Sequence, residues 1–405
     1  MNMIKKSAYL LTSISIYKNV VLDDVVSAFH KLLFSTLENS ETFISNWSNF
    51  YSLLSLKGYQ DNFTKYVKDI ILYDENIFTL EISRGNIDKI NDNLLKVVEN
   101  ELETLLNISK ITPQEIFNNY KNNEELQDIK QYLPNWSNNF EEKTTQSIID
   151  EVINFSKENG YGIYAKYRAF IWVNNNLKPV KNPDNINISD LKEYDYQRNL
   201  VLQNTVAFLN GKTANNCLLY GDKGTGKSST VKAILNKHYK DGLRIIEISK
   251  ENLSQFPSLV DKIAEVPIKF IIFIDDLSFQ YQDDKYASLK AVLEGGLAAQ
   301  PKNALIYATS NRRHLVKESF SDRQGDELHR NDTIQESLSL SDRFGLSVNF
   351  SIPNKDVYIN IVKTLANKKG LDIDEYLLIE KAERWALQKG GRSPRTAKQF
   401  INSLN

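Results

Sequence analysis

A single cysteine in 405 residues excludes any intrachain disulfide. Four scattered histidines and that one thiol are too few for a structural zinc site. Cys217 stands in the apolar run NNCLLYG and reads as a small core residue. No apolar run approaches the roughly 18 residues of a membrane span. The N-terminal MNMIKKSAYLLTSISIYKNVVLDD sets two lysines before an apolar stretch, as a secretory signal does. Serine and threonine dilute that stretch, Lys18 interrupts it, and no small-x-small cleavage site follows. The expectation is a core helix or strand pair in a cytoplasmic protein without a membrane partner. An excess of charge is also lacking, because 50 basic and 51 acidic side chains leave a net −1. Residues 1–180 hold 18 of the basic and 23 of the acidic groups, so the C-terminal part is only mildly basic. Binding to nucleic acid draws no electrostatic support from that balance.

What is present is the balance of a globular protein, 41% hydrophobic and 25% charged. The length suits two or three domains. Residues 1–175 read as mainly helical. In GNIDKINDNLLKVVENELETLLNIS the apolar positions Ile87, Ile90, Leu94, Val98, Leu102 and Leu105 recur at spacings of three and four. TPQE opens a helix, with Thr112 as cap, Pro113 in the first turn and Glu115 closing a capping box. No repeat and no catalytic constellation stands out there. A packing or partner-binding domain is the expectation.

The stretch NNNLKPVKNPDNIN, at 174–187, is the linker candidate, with two prolines among many asparagines. Beyond it, strands are expected at NCLLY, LRIIEIS, KFIIFID, NALIYATS and LSVNF, with helical stretches between. That alternation implies a parallel sheet covered by helices. Residues 353–405 read as a C-terminal helical lid on an α/β core at 176–352.

The chemistry begins at YGDKGTGKSST, which matches G-x-x-x-x-G-K-[ST] over 221–228. It follows an apolar strand and opens a helix, the context the motif requires. Gly221, Asp222, Lys223, Gly224, Thr225, Gly226 and Ser229 would wrap a phosphate with backbone N–H groups. Lys227 would reach the β- and γ-phosphates, and Ser228 would ligate Mg²⁺. Downstream, KFIIFIDDLS ends a buried strand on two adjacent carboxylates. Asp275 suits the metal, and Asp276 suits a role in orienting or deprotonating water. In ALIYATSNRRH another strand ends on Thr309, Ser310 and Asn311, and Asn311 is the choice to hold the attacking water. Arg343, in SDRFG, suits charge stabilisation from a neighbouring subunit. Arg395, in GRSPRTAKQF, would contact nucleotide from the lid. Arg312 and Arg313 stay open between a neighbour's nucleotide and the solvent. The highly charged segment at 317–339 stays open between a partner-facing insert and a solvated loop.

This ordered set resembles the AAA+ ATPase superfamily over about 180–405. Within it, ANNCLLYGDKGTGKSS, FIDDLSF, YATSNRRHL, DRFGL and GRSPRTA resemble a bacterial family of AAA+ ATP-binding proteins of unassigned function. The resemblance implies a P-loop NTPase fold: a five-stranded parallel sheet between helices, a helical lid and a helical N-terminal domain. It implies Mg²⁺ and ATP as cofactors, a homo-oligomer, and an unknown protein partner. It also makes Tyr194, in DLKEYDYQ, either a base contact or packing. One departure stands out: most AAA+ motors have Asp-Glu where this chain has Asp-Asp. Two functions compete: an ATPase that hydrolyses ATP between subunits to drive a change in a protein partner, and an ATP-dependent DNA-binding switch of the replication-initiator or helicase-loader type. A small-molecule phosphotransferase would need neither SDRFG nor GRSPRTA.

Overall fold

A computed structural model of the chain describes residues 2–138, 144–279, 289–290, 292–293, 301–312 and 343–404. The chain divides into two compact units, Met1–Lys166 and Tyr167–Asn405. No described helix is long and apolar enough to cross a membrane.

The first unit is helical among its described residues. Its helices start on the caps their sequences offer. Thr112 and Glu115 form the expected capping box, with Pro113 in the first turn. The periodic stretch after Ile87 divides into a short 3-10 turn, Ile87–Lys89, and a helix, Asp92–Ser109, capped by the Asn91 side chain. The core packs aromatic side chains in tilted and edge-to-face pairs, with Phe29 and Phe50 each in contact with the other, with Phe63 and with Trp136. The Glu101 carboxylate enters this interior because the chain turns onto it. It accepts hydrogen bonds from the backbone N–H groups of Ser15, Ile16 and Tyr17 between the first two helices.

The second unit is built on a seven-stranded sheet in the order β2-β1-β4-β5-β6-β3-β7. The strands are β1 (Ala169–Val173), β2 (Asn176–Pro179), β3 (Cys217–Gly221), β4 (Leu243–Ile248), β5 (Lys269–Ile274), β6 (Ala304–Ser310) and β7 (Leu346–Phe350). Every neighbouring pair is parallel except β1 with β2. The five strands from β3 to β7 are the expected ones. Strands β5 and β6 are buried on both faces, which is why they read as unbroken apolar runs. Cys217 is fully buried in β3, and burial pushes its thiol pKa well up, as a core residue requires.

The sheet is wider than the expected five strands. The stretch expected as linker turns back on itself at Asn174 and Asn175, both in the left-handed region at φ 51° and 55°. A two-residue turn with positive φ at both positions joins antiparallel strands, and asparagine tolerates it. The resulting hairpin adds β1 alongside β4, and Trp172 anchors it by donating to Gln255 Oε1 at 2.9 Å. Hence the second unit begins at Tyr167, earlier than the expected boundary after residue 175. Helices Asp195–Leu209 and Lys227–His238 contribute Val201, Phe208, Val231 and Ile234 to the core against the sheet. Three further helices, Lys355–Lys369, Glu375–Gln388 and Pro394–Ser403, form the lid around Tyr358, Ala382 and Phe400.

Candidate functional site

The strand order β5-β6-β3 decides where the chemistry sits. Three adjacent parallel strands end on the same edge of the sheet, so whatever follows each strand meets the others there. After β3 comes the phosphate loop, after β5 come Asp275 and Asp276, and after β6 comes Asn311. A cavity of about 1040 Å³ opens at this edge, lined by the loop from Lys223 to Thr230, by Asp275, Asp276, Thr309 and Asn311, and by lid residues including Arg395.

The loop owes its course to glycine. Gly221, Gly224 and Gly226 have φ of 127°, 78° and 96°, values L side chains rarely adopt. A Cβ on Gly221 would lie 2.3 Å from the Phe350 carbonyl oxygen of β7. Gly221 and Asp222 do not line the cavity; they moor the loop behind it. Asp222 donates its N–H to Phe350 O at 3.0 Å, and its carboxylate accepts from Ile352 N at 2.8 Å.

Lys227 is buried and directs its ammonium inward. It donates to Gly221 O at 2.9 Å, to Asp222 O at 2.6 Å and to Asn311 Oδ1 at 3.3 Å. Burial lowers its pKa, and the carboxylates of Asp222, Asp276 and Asp275 oppose that shift. Ser228 donates its hydroxyl proton to Asp275 Oδ1 at 2.6 Å. Thr309 donates to the same oxygen at 2.5 Å and accepts from the Asp276 N–H at 2.9 Å. Asp276 itself takes φ 52°, so the chain turns between the two acids and their side chains part. The Asp276 carboxylate accepts from Asn311 Nδ2 at 2.5 Å. Asn311 therefore stands between Lys227 and Asp276, with its amide oxygen on one and its nitrogen on the other.

The donor set fits one kind of cation. A serine hydroxyl and a carboxylate converge, and among the described residues no group of three or more histidine, cysteine or acidic side chains gathers to cage a metal. Two oxygens leave most positions to phosphate and water, the usual mode for Mg²⁺.

The remaining expected residues divide. Arg395 lines the cavity, and its backbone N–H donates to Gly224 O at 3.2 Å, so the last helix rests directly on the phosphate loop. Arg343 lies just before β7 and is not among the residues lining this cavity. Tyr194 does not line it either. Its ring stacks on Phe350, and its hydroxyl donates to Ser351 O at 2.6 Å. Burial, with Asp222 and Glu193 nearby, pushes that hydroxyl up to about 12. Of the two readings left open for Tyr194, a base contact or packing, the structure shows packing, because Tyr194 caps its helix in the left-handed region and its ring lies on Phe350 of β7. Arg312 donates its N–H to Ser310 Oγ at 3.2 Å, while Arg313 and the segment 317–339 lie outside the described residues.

Sequence reasoning missed the rest of the cavity wall. Ile186, Leu191, Ile361, Leu365 and Ile401 form its apolar side. They come from the segment before Tyr194 and from two lid helices, and no local pattern links them. Lys368 Nζ joins the two sides with an ion pair to Asp190 Oδ1 at 2.7 Å. That contact holds the Asp190 carboxyl below its ordinary pKa.

A family described as "Protein of unknown function (DUF815)" matches residues 165–405. The chain belongs to that family. The matched region of this DUF815 member is the sheet, the phosphate loop and the lid. Together they form a helix-covered sheet in which β4-β5-β6-β3-β7 run parallel, the arrangement that the resemblance to AAA+ ATPases implies. No curated protein matches the chain. Among solved structures, the RuvB Holliday junction branch migration motor of Thermotoga maritima is 14% identical, with 54% of this chain and 72% of that chain covered and a TM-score of 0.34. A mutant of that RuvB is 11% identical over the same shares, with a TM-score of 0.33. So distant a likeness identifies no activity.

Proposed function

We propose that this DUF815 member binds Mg-ATP at the phosphate loop and hydrolyses it to ADP and phosphate. The observation that carries the reading is the meeting of Ser228 and Asp275, 2.6 Å apart, beside a buried Lys227. A metal-binding hydroxyl and carboxylate next to a phosphate-binding lysine serve a nucleoside triphosphate and little else. Lys227 would neutralise phosphate oxygens, exchanging its loop carbonyls for them. Ser228 and Asp275 would hold Mg²⁺, which when bound supplies positive charge to the phosphates. Asp276 would accept the proton of an attacking water, and Asn311 would fix that water by its amide. Arg395 would add a guanidinium from the lid. Arg343, away from its own chain's cavity, suits action on a neighbouring copy's nucleotide, which requires a homo-oligomer.

The work done by such a cycle is assigned to a protein partner bound by the helical unit Met1–Lys166. A DNA-binding switch is the competing reading, and no described feature favours it. Calorimetric titration with ATP in Mg²⁺ tests the reading, together with phosphate release. Wild-type protein is expected to bind and turn over, and Lys227→Ala to do neither. Unchanged ATP affinity in Lys227→Ala would sink the site assignment.

A further inference from the structure

Thr309 carries no step of the hydrolysis described above, yet it contacts both acids of the site. It follows Ala308 of β6, which pairs with Ile274 of β5, so it stands beside Asp275 where β5 ends. It belongs to the cavity wall but is only 2% exposed. A residue with so little open surface acts through its neighbours rather than on a ligand.

The direction of its hydrogen bonds is forced. The Asp276 backbone N–H can only donate, so Thr309 Oγ1 accepts from it, at 2.9 Å. The single hydroxyl proton then goes to Asp275 Oδ1, at 2.5 Å. The Thr309 carbonyl oxygen accepts from the Leu277 N–H at 2.7 Å. One residue of β6 therefore holds the chain before, at and after the turn on Asp276.

Both acids need holding. Asp276 has φ 52°, which a residue other than glycine keeps only where its surroundings impose it. Asp275 Oδ1 accepts from the Ser228 hydroxyl at 2.6 Å, from Thr309, and from the Asp276 N–H at 3.2 Å. Three donors on one oxygen turn that oxygen toward them and leave Oδ2 for a cation or for a water on it. A serine that ligates a cation gives it a lone pair. Ser228 would then no longer be bound to aim its proton at Oδ1, and Thr309 would be the side-chain donor that keeps the carboxylate in place.

We propose that Thr309 is a positioning residue for both acids: its hydroxyl aims Asp275 at the cation and pins Asp276 where the attacking water arrives. This rests on the Mg-ATP reading and adds that one hydroxyl sets the metal carboxylate and the proton acceptor together.

The test compares full-length wild type, Thr309→Val and Thr309→Ser. Valine keeps the branched shape and lacks the hydroxyl; serine keeps the hydroxyl and lacks the methyl group. Two quantities are read: the gain in ATP affinity between EDTA and excess Mg²⁺, by calorimetric titration, and phosphate release at saturating Mg-ATP. Loss of a group that orients a metal ligand commonly costs 10–100-fold, so in Thr309→Val both quantities should fall about tenfold or more. Its ATP affinity in EDTA should match wild type, which also shows that the variant is folded. Thr309→Ser should recover most of both losses, which a role in packing would not give. A wild-type gain and wild-type turnover in Thr309→Val overturn the proposal, and so does loss of one quantity without the other. Thr309→Ser with the gain and the turnover of wild type lost overturns it too, and needs no valine variant to fold. If ATP binds to wild type and not to Lys227→Ala, such a failure belongs to Thr309 alone; if wild type binds no ATP, both readings fall.

Discussion

The Ser228 hydroxyl and the Asp275 carboxylate, 47 positions apart in the chain, share a 2.6 Å hydrogen bond. The edge formed by β5, β6 and β3 fixes both side chains, so in the proposed Mg-ATP site neither would need to travel to meet the cation. Thr309 donates to the same carboxylate oxygen and sets its orientation from the strand between them.

The first prediction follows from that pair. Ser228→Ala removes one of two protein oxygens from the cation site and leaves the phosphate-binding backbone intact. Affinity for ATP in excess Mg²⁺ is expected to fall about tenfold or more, as for other lost interactions with a charged group. Affinity for ATP with the metal chelated should be the same as wild type. Titration with and without EDTA checks this; equal losses in both would mean the serine acts on the nucleotide rather than on the metal.

How far the site was legible in the sequence depended on where each residue's role is decided. Residues 221–228 and Asp275 were readable because a strand, a turn and a helix start are local patterns, and strand ends bring them together. The β1–β2 hairpin was not, because Asn174 and Asn175 read equally as linker and as a left-handed turn. Pairing with β4 decides between these, and that is a long-range event. Tyr194 stayed open between base contact and packing for a similar reason: its stacking on Phe350 of β7 is a long-range contact.

Asp276 supplies the second prediction. Its φ of 52° lies where asparagine is nearly as well tolerated as aspartate. Asp276→Asn should therefore fold normally and keep its ATP affinity. It removes the proton acceptor, so hydrolysis should fall by a factor on the order of 10²–10⁴. Phosphate release at saturating ATP measures the effect. A turnover within a few-fold of wild type would remove Asp276 from the chemistry.

Gly221 tests the architecture rather than the reaction. A Cβ there would lie 2.3 Å from the Phe350 carbonyl oxygen, and φ is 127°. Both the clash and the strain act on the folded state, so Gly221→Ala should lose about 2–4 kcal/mol. Gly226→Ala meets nothing within 4 Å and bears only backbone strain at φ 96°, so it should lose about 1–2 kcal/mol. Urea unfolding of the two variants compares them. Equal losses would place the cost in φ alone and not in the approach of β7.

Arg343 gives the last prediction, and it separates a residue that serves its own chain from one that serves a neighbour. Arg343 precedes β7 and is not part of the cavity wall of its own chain. Arg343→Ala should therefore bind ATP with wild-type affinity and fail to hydrolyse it. Asp276→Asn should show the same phenotype for a different reason, loss of the proton acceptor. In an assembly mixed from the two variants, some interfaces combine Asp276 from one copy with Arg343 from the next. Those sites are complete, so turnover should reappear on mixing and peak near equal proportions. A mixture as inactive as its components would mean that Arg343 acts within its own chain or not at all. Recovery of activity would at once establish that the protein works as an oligomer and that its catalytic site is divided between copies.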